Sequence, residues 1–157
     1  MSKLNRQVTH GSNGVPVEYL GTIELPYSIG GIERIIAGSQ ISLSILDEKE
    51  RESHHKREPL TNLTGAYGFL DFVQGAKNGC DLYKTAVYGS HRRNKIFEQM
   101  LKFLAEIGKN RGIVSIYAAV ERDYEPMLNA MQKYGFRRVG NMERLINFKA
   151  DISDLNI

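Results

Sequence analysis

Residues 89–104 read GSHRRNKIFEQMLKFL and decide the fold, because a predicted strand ends here and a long amphipathic helix begins. Arg92, Arg93, Asn94 and Lys95 fall where the first helical turn is expected. A helix N-terminus carries partial positive charge, so each cation placed there costs about 0.3–1 kcal/mol unless an anion is bound. The pattern therefore favours an anion site, with phosphate as the usual ligand. A solvated basic turn is the alternative.

The composition is that of an ordinary globular domain. The chain has 157 residues, 41% hydrophobic and 25% charged, and we expect residues 1–157 to form a single domain. No apolar run reaches the roughly 18 residues of a transmembrane helix, and the polar N-terminus lacks a signal-peptide core. The single cysteine excludes an internal disulfide and indicates a reducing, cytoplasmic location. The net charge of +3 suits a phosphate-bearing ligand or nucleic acid without choosing between them.

The N-terminal half gives weaker signals. Residues 17–25 are rich in strand-forming side chains, and residues 41–46 (ISLSIL) alternate as a half-buried strand does. Residues 28–37 are ambiguous, because their isoleucines have helical spacing while a Gly-Gly pair weakens a helix. Residues 47–62 are charge-dense and predict a loop, whose His-His pair lacks the ligand spacing of a metal site.

A hairpin is predicted in the middle of the chain. Residues 66–74 and 81–88 read as two strands, and Asn78-Gly79 between them is a strong turn signal. We therefore expect the two strands to be antiparallel. Cys80 lies at the edge of this hairpin, and nothing in the sequence pairs its thiol with a base, so we treat it as incidental.

The helix that follows has one broad apolar face. Its apolar side chains are Ile96, Phe97, Met100, Leu101, Phe103, Leu104 and Ile107. Residues 113–120 (IVSIYAAV) are nearly continuous apolar sequence, as expected of a strand covered on both faces. Strand, helix and strand make a βαβ unit, so residues 81–88 and 113–120 should run parallel with a right-handed crossover.

A second helix and a strand pair complete the chain. Asp123 is the expected cap of this helix, Pro126 lies in its first turn, and Gly135 ends it. Residues 136–149 then return as one or two strands, with a turn near Gly140-Asn141.

Motifs of several common enzyme classes are missing. Neither G-x-G-x-x-G nor G-x-x-x-x-G-K-[ST] occurs, which argues against dinucleotide binding and nucleoside-triphosphate hydrolysis. The sequence also has no serine nucleophile elbow and no carboxylate–histidine zinc motif. What remains is a parallel strand that leads through a basic loop into a helix, where open α/β sheets bind phosphate groups.

About residues 66–149 resemble the GNAT superfamily of N-acetyltransferases, which bind acetyl-coenzyme A. Residues 87–97 (VYGSHRRNKIF) match the family's V-x-P-x-x-R-x-x-G-x-G/A in part. Residues 125–136 (EPMLNAMQKYGF) match N-E-P-A…Y-E-K-x-G-F more specifically. The resemblance implies an α/β (α+β) fold: a mixed, mostly antiparallel twisted sheet with a central parallel strand pair and helices packed on its faces.

The resemblance also implies where acetyl-coenzyme A, the co-substrate, binds. In such proteins the two parallel strands splay apart, and the pantetheine arm pairs with the freed backbone groups, here near Ala86, Val87 and Tyr88. The pyrophosphate lies over the loop that follows, formed here by Arg92, Arg93, Asn94, Lys95, Ile96 and Phe97.

Three residues of the expected co-substrate site depart from the family pattern. Lys95 and Phe97 replace small loop residues, and glycine at such positions lets the backbone approach phosphate closely. Lys95 can instead meet phosphate through its side chain, and Phe97 can point into the core. Tyr124 occupies the position of an asparagine that often holds the pantetheine arm.

The resemblance implies direct transfer of the acetyl group. A substrate amine attacks the thioester, backbone N–H groups polarise the carbonyl, and side chains move the protons. The tyrosine that often serves as acid aligns with Met131, so we expect Tyr134, nearly one helical turn further, to replace it. Core packing is the alternative role of that ring. Asp71, Glu121 and His91 are the candidate bases.

Two functions stay open at this point. The first is acetyl transfer from acetyl-coenzyme A to an amine on a small molecule, a protein or a nucleic-acid base. The second is a GNAT-like protein without catalysis that uses its basic loop to bind nucleic acid or a protein partner. The lost glycines, tyrosine and asparagine favour the second. The Arg92-Arg93 pair and the cation-rich helix start favour the first, because an arginine fork suits phosphate. No membrane partner is expected, and the sequence leaves a homodimer open.

Overall fold

The computed structural model describes residues 6–10, 16–24, 31–38, 66–75, 78–87 and 95–157. The strands of this part are β1 (Arg6–His10), β2 (Pro16–Glu24), β3 (Glu33–Gly38), β4 (Ala66–Gln74), β5 (Gly79–Val87), β6 (Ser115–Glu121), β7 (Arg137–Asn141) and β8 (Leu145–Asp151). Its helices are α1 (Ile96–Asn110), α2 (Glu125–Lys133) and a short 3-10 helix at Ile152–Asp154.

The strands form one sheet in the order β1-β2-β3-β4-β5-β6-β8-β7. The neighbours β5 and β6 are parallel, and the other neighbouring pairs are antiparallel. The predicted fold class, a mixed and mostly antiparallel sheet with a central parallel pair and packed helices, is confirmed.

The hairpin of β4 and β5 forms where its turn signal predicts. Asn78 has a φ of 60°, in the left-handed region that asparagine tolerates better than most residues. The register runs from Gln74 opposite Cys80 to Gly68 opposite Val87. The local sequence predicts this hairpin correctly, because the turn signal and the strand patterns on both sides of it indicate the same structure.

The apolar face of α1 packs on β2, β3, β4 and β5. Ile96, Met100, Leu101 and Leu104 have no exposed surface and form the centre of the core. At the other end of the helix, the Arg111 guanidinium donates to the Glu33 carboxylate at 2.7 and 2.9 Å. This ion pair ties the C-terminus of α1 to the start of β3.

Residues 28–37, which the sequence left ambiguous, are a strand and not a helix over most of the part that the structure describes. Residues 33–37 lie in β3, where Ile35 is opposite Leu70 and Ile36 is opposite Phe69. Both isoleucines are fully buried, although neighbouring residues of a strand point to opposite faces. A strand covered on both faces has no period-2 pattern, and this explains the ambiguity.

The strand after α1 is less buried than its sequence predicts. Residues 113–120 were expected to be covered on both faces, but burial alternates along β6. Ile116 and Val120 join the core, whereas Tyr117 is 38% exposed and Val114, just before the strand, is 55% exposed. The expectation was wrong because apolar content alone does not show which face has a partner.

The second helix is present, with a different start. Its N-cap is Tyr124 rather than Asp123, and no side chain caps it. Pro126 lies in the first turn, as predicted. Gly135 has a φ of 94° and reverses the chain after the helix. The turn between β7 and β8 spans residues 142–144, so Gly140-Asn141 belongs to β7.

Two further predictions concern the N-terminal half. The strand predicted at residues 17–25 is confirmed as β2. The strand predicted at residues 41–46 and the charged loop at 47–62, with its two histidines, lie outside the described residues.

Candidate active site

The two parallel strands separate soon after they pair. Gly79 is opposite Ser115, and the last pair is Asp81 with Tyr117. Both strands continue, β5 to Val87 and β6 to Glu121. Within the described strands, β5 and β6 therefore diverge from Leu82 onward, and backbone groups that would complete the ladder face the space between them.

A cleft of about 560 Å³ lies beside the diverging end of β5. Val87 forms its strand side, Lys95 and Phe97 come from the start of α1, and Tyr124 and Tyr134 flank α2. The five residues come from three separate parts of the sequence, and each was a predicted site residue. The fold brings these predicted positions together around one cavity.

Lys95 has an unusual backbone conformation. As the N-cap of α1 it has φ 54° and ψ 36°, and no side-chain hydrogen bond caps the helix. The left-handed region costs a residue other than glycine roughly 1–2 kcal/mol. The backbone therefore adopts the conformation that glycine, which the family pattern has at this position, takes freely. The lysine retains this geometry and adds an exposed ammonium beside the cleft.

Tyr134 lies at the C-terminal end of α2 and is only 5% exposed. Its ring centroid is 5.8 Å from that of Phe97. Burial raises the pKa of the phenol above its ordinary value of 10.0, and the negative charge of Glu98 raises it further. The hydroxyl thus keeps its proton at neutral pH and can act as a donor, while its ring also packs in the core.

The candidate bases differ in availability. Asp71 is 2% exposed, and both its carboxylate oxygens accept hydrogen bonds from Arg34. Glu121 is exposed at the end of β6, and its backbone carbonyl accepts from the N–H of Tyr124 at 3.0 Å. His91 lies outside the described residues. Of the two described carboxylates, Glu121 is the one that solvent and a substrate can reach.

The remaining predicted contacts fall into three groups. The side chain of Ile96 is fully buried in the core, so only its backbone can face a ligand. Ala86 belongs to the part of β5 that has left β6. The positions of Tyr88, Arg92, Arg93 and Asn94 lie outside the described residues.

Sequence reasoning did not assign several other residues of the cleft. They are Thr85, Pro126, Met127, Ala130 and Lys133. Helical spacing links Met127, Ala130 and Tyr134, which are three and four residues apart and share one face of α2. The same spacing suggested a core face, and these side chains do touch the core at one side of the cleft. The ammonium of Lys133 lies 5.4 Å from the ring centroid of Tyr134.

Cys80 is unsuited to nucleophilic chemistry. It is 1% exposed. Burial raises the pKa of its thiol from 9.0 to about 12, and Asp81 adds to the shift. A thiolate is the reactive form of cysteine, so this side chain stays inert at neutral pH.

Comparison with known proteins decides the family. The model of the acetyltransferase (GNAT) family matches residues 45–136, which is more than half of the chain. The chain belongs to the GNAT family. The match confirms the resemblance seen over residues 66–149 and begins about twenty residues earlier, at position 45.

Solved structures of GNAT proteins share the fold. An acetyltransferase of the GNAT family from Staphylococcus aureus Mu50 superposes with a TM-score of 0.57 at 14% identity, covering 77% of this chain and 68% of its own. PaiA N-acetyltransferase from Thermoplasma acidophilum, solved with coenzyme A, gives 0.54 at 17% identity, covering 69% and 70%. A Bacillus anthracis protein described as a streptothricin acetyltransferase, solved with acetyl-coenzyme A, gives 0.56 at 12% identity, covering 76% and 62%.

At these identities the likeness concerns the fold. A comparison with curated protein sequences finds no significant match. Among the described helices of this GNAT chain, none has the length and apolarity required to cross a membrane.

Proposed function

We propose that this GNAT protein transfers an acetyl group from acetyl-coenzyme A to an amine by direct attack, in the space where β5 and β6 diverge. The observation that carries the proposal is the divergence after Asp81 and Tyr117, with the cleft beside it. Two of the structural relatives were solved with coenzyme A or acetyl-coenzyme A. This supports the same co-substrate here.

The residues of the cleft fit such a ligand. The Lys95 side chain does not cap α1, so among the described residues the backbone N–H groups of the first turn have no capping side chain and are available to a ligand. Lys95 and Lys133 add two cations to the lining, and Phe97, Met127 and Ala130 add apolar surface. The backbone N–H groups and the two lysines suit phosphate groups of the ligand, and the apolar side chains suit an apolar arm of it.

The residues around the cleft then have separate roles in binding the co-substrate. Acetyl-coenzyme A supplies an activated acyl thioester. The N–H groups of Ile96 and Phe97 and the ammonium of Lys95 hold phosphate oxygens. Backbone groups of Ala86 and Val87 bind amide groups of the ligand, because the ladder between β5 and β6, as far as the structure describes it, ends at Asp81 and Tyr117.

Two side chains handle protons in this proposal. Glu121 accepts a proton from the acceptor amine, since its carboxylate is exposed at the end of β6. Tyr134 holds a phenol proton at the wall of the cleft, where it can be donated to a departing thiolate. Backbone N–H groups that face the divergence stabilise negative charge on the carbonyl oxygen.

The acceptor is an amine on a small molecule, a protein or a nucleic-acid base. No comparison supports the second function considered from sequence, a GNAT-like protein without catalysis that binds nucleic acid or a protein partner. If that function were correct, nucleic-acid affinity would fall steeply with salt while acetyl-coenzyme A had no effect on stability.

Thermal unfolding with increasing acetyl-coenzyme A tests the proposal. A ligand present at about a hundred times its Kd adds roughly 2.7 kcal/mol of stability, which raises the Tm by several degrees. Release of free coenzyme A thiol in the presence of an amine then measures turnover. The absence of any Tm shift at millimolar ligand would contradict the proposal.

A matched pair of variants tests the loop assignment. Arg93→Ala should weaken binding of acetyl-coenzyme A more than Arg137→Ala does. Arg137 is exposed on β7, away from the cleft lining, so it controls for the loss of one positive charge. Equal effects would count against a phosphate site in the loop.

A further inference from the structure

The last residues of the chain contact the same end of α2 that carries Tyr134. The backbone N–H of Asn156 donates to the carbonyl oxygen of Tyr134 at 2.9 Å. The side-chain Nδ2 of Asn156 donates to the carbonyl oxygen of Lys133 at 3.2 Å. The final carbonyls of a helix have no partner inside the helix, so one residue satisfies two of them here.

This C-terminal segment (residues 152–156) is itself anchored at several points. The N–H of Ile152 donates to the carbonyl of Val114 at 2.8 Å. A Cβ atom at Gly108 of α1 would lie 2.9 Å from Cδ1 of Ile152. A Cβ atom at Gly135 would lie 2.7 Å from the carbonyl oxygen of Asp154. The segment is therefore packed against α1, the start of β6 and the end of α2.

The helix held in this way, α2, is short and has only one fully buried side chain. It has nine residues, and Met131 is its one fully buried side chain. A helix this short has little stability of its own. Its last turn and C-cap nevertheless bring Lys133 and Tyr134 to the cleft.

We propose that Asn156 is a positioning residue that fixes the end of α2 and thereby places the phenol of Tyr134 in the cleft. The inference rests on the proposed function, in which Tyr134 donates a proton. Among the described residues, the charged groups near Tyr134 are Glu98 on α1, Lys133 on its own helix and Lys95, which lines the same cleft. A shift of the helix end changes the distance of the phenol from each of them.

Asn156→Asp is the most direct test, because it replaces the Nδ2 donor with an oxygen that repels the Lys133 carbonyl and keeps the backbone N–H. Asn129→Asp makes the same chemical change on the exposed side of α2. Titration of tyrosine absorbance, with Tyr134→Phe as the difference reference, follows the Tyr134 phenol in the folded protein without ligand. Steady-state kinetics with acetyl-coenzyme A and an amine follow kcat and KM separately.

We expect Asn156→Asp to change the titration of Tyr134 relative to the parent protein and to lower kcat about threefold to tenfold. Asn129→Asp should change neither quantity. If both variants titrate like the parent protein and keep its kcat, Asn156 has a role only in stability and the inference fails.

A second variant covers the case in which Asn156→Asp does not fold. Asn156→Ala removes the donor without adding a charge, so the titration of Tyr134 should shift toward ordinary phenol behaviour, and no shift overturns the inference. Because the titration needs no ligand, its result is separate from the failure of acetyl-coenzyme A to bind, which would overturn the proposed function instead.

Discussion

The Arg34 guanidinium holds the Asp71 carboxylate with two hydrogen bonds, from Nε to Oδ1 at 2.6 Å and from Nη2 to Oδ2 at 2.9 Å. The pair joins β3 to β4 and is almost fully buried, with Arg34 7% and Asp71 2% exposed. The guanidinium carbon also lies 4.0 Å from the ring centroid of Phe69. Since both oxygens of Asp71 are engaged, this residue is structural rather than a general base.

Replacing one partner of this pair should be strongly destabilising. Asp71→Asn removes the carboxylate charge that the buried Arg34 guanidinium binds, and losses of about 3–5 kcal/mol are typical of such changes. Urea denaturation of the variant measures the effect. The double variant Arg34→Met with Asp71→Leu should recover most of the loss. A stable Asp71→Asn protein with greatly reduced kcat would show that Asp71 is catalytic after all.

Two substitutions at Lys95 separate its backbone from its charge. Lys95→Gly and Lys95→Ala both remove the ammonium, but only glycine adopts a φ of 54° without strain. The glycine variant should therefore be more stable than the alanine variant by about 1 kcal/mol in urea denaturation. Both should lose affinity for acetyl-coenzyme A by about tenfold, the value of one charge-assisted contact.

Lys102→Ala is the matched control for Lys95, because Lys102 is exposed in the middle of α1 and absent from the cleft lining. Its affinity should equal that of the parent chain. Should Lys95→Gly and Lys95→Ala prove equally stable, the left-handed conformation is not held in solution.

Gly135 and Gly112 form a second matched pair. Both have positive φ values, 94° and 74°, so alanine costs roughly 1–2 kcal/mol at either position. A Cβ at Gly135 also lies 2.7 Å from a backbone oxygen of Asp154, whereas one at Gly112 has no heavy atom within 4 Å. Gly135→Ala should be the more destabilising by about 1–3 kcal/mol in urea denaturation. Equal losses would mean that the C-terminal segment does not pack on α2.

Tyr134→Phe should remove a proton donor while retaining the ring. A general acid contributes at least about a hundredfold to rate, so kcat should fall by about that factor, with little change in the Tm. A change confined to KM would exclude the acid role.

The same residue gives a pH dependence of stability. The pKa of the Tyr134 phenol is raised above its ordinary value of 10.0 in the fold. The unfolded chain therefore loses its proton first as pH rises, and stability declines from about pH 10 until the folded phenol has titrated. Urea denaturation at about pH 9 and pH 11 should show a smaller decline for Tyr134→Phe. An identical decline in both proteins would contradict the raised pKa.

The parts of the fold that follow from sequence are those with local signals. The Asn78-Gly79 turn defined the β4–β5 hairpin, and the apolar stripe defined α1. The strand β3 lacked such a signal, because its pattern depends on which neighbours cover each face. Ile35 and Ile36 have helical spacing relative to Ile32, but both are buried as a strand between β2 and β4.

The candidate site shows the same difference between residues with a local sequence signal and residues whose contacts are distant in sequence. Motif order placed Val87, Lys95, Phe97, Tyr124 and Tyr134 near one another, and the structure lines one cleft with them. Arg34, the partner of Asp71, is 37 positions away in sequence. No local sequence pattern could therefore indicate that this carboxylate is held in an ion pair. The contact of Asn156 with α2, 22 or more positions apart in sequence, was hidden for the same reason.

The early end of β5–β6 pairing at Asp81 and Tyr117 leaves two strand edges inside the described sheet without a ladder partner. Bare strand edges usually recruit strands from other molecules, and proteins cover or charge them. Here the two bare edges face each other within a single sheet. A thin chain with amide groups fits between them more easily than a polypeptide strand, whose side chains point to both faces. The gap between β5 and β6 therefore presents backbone hydrogen-bonding groups to a thin ligand at a place that is narrow for a strand of another molecule.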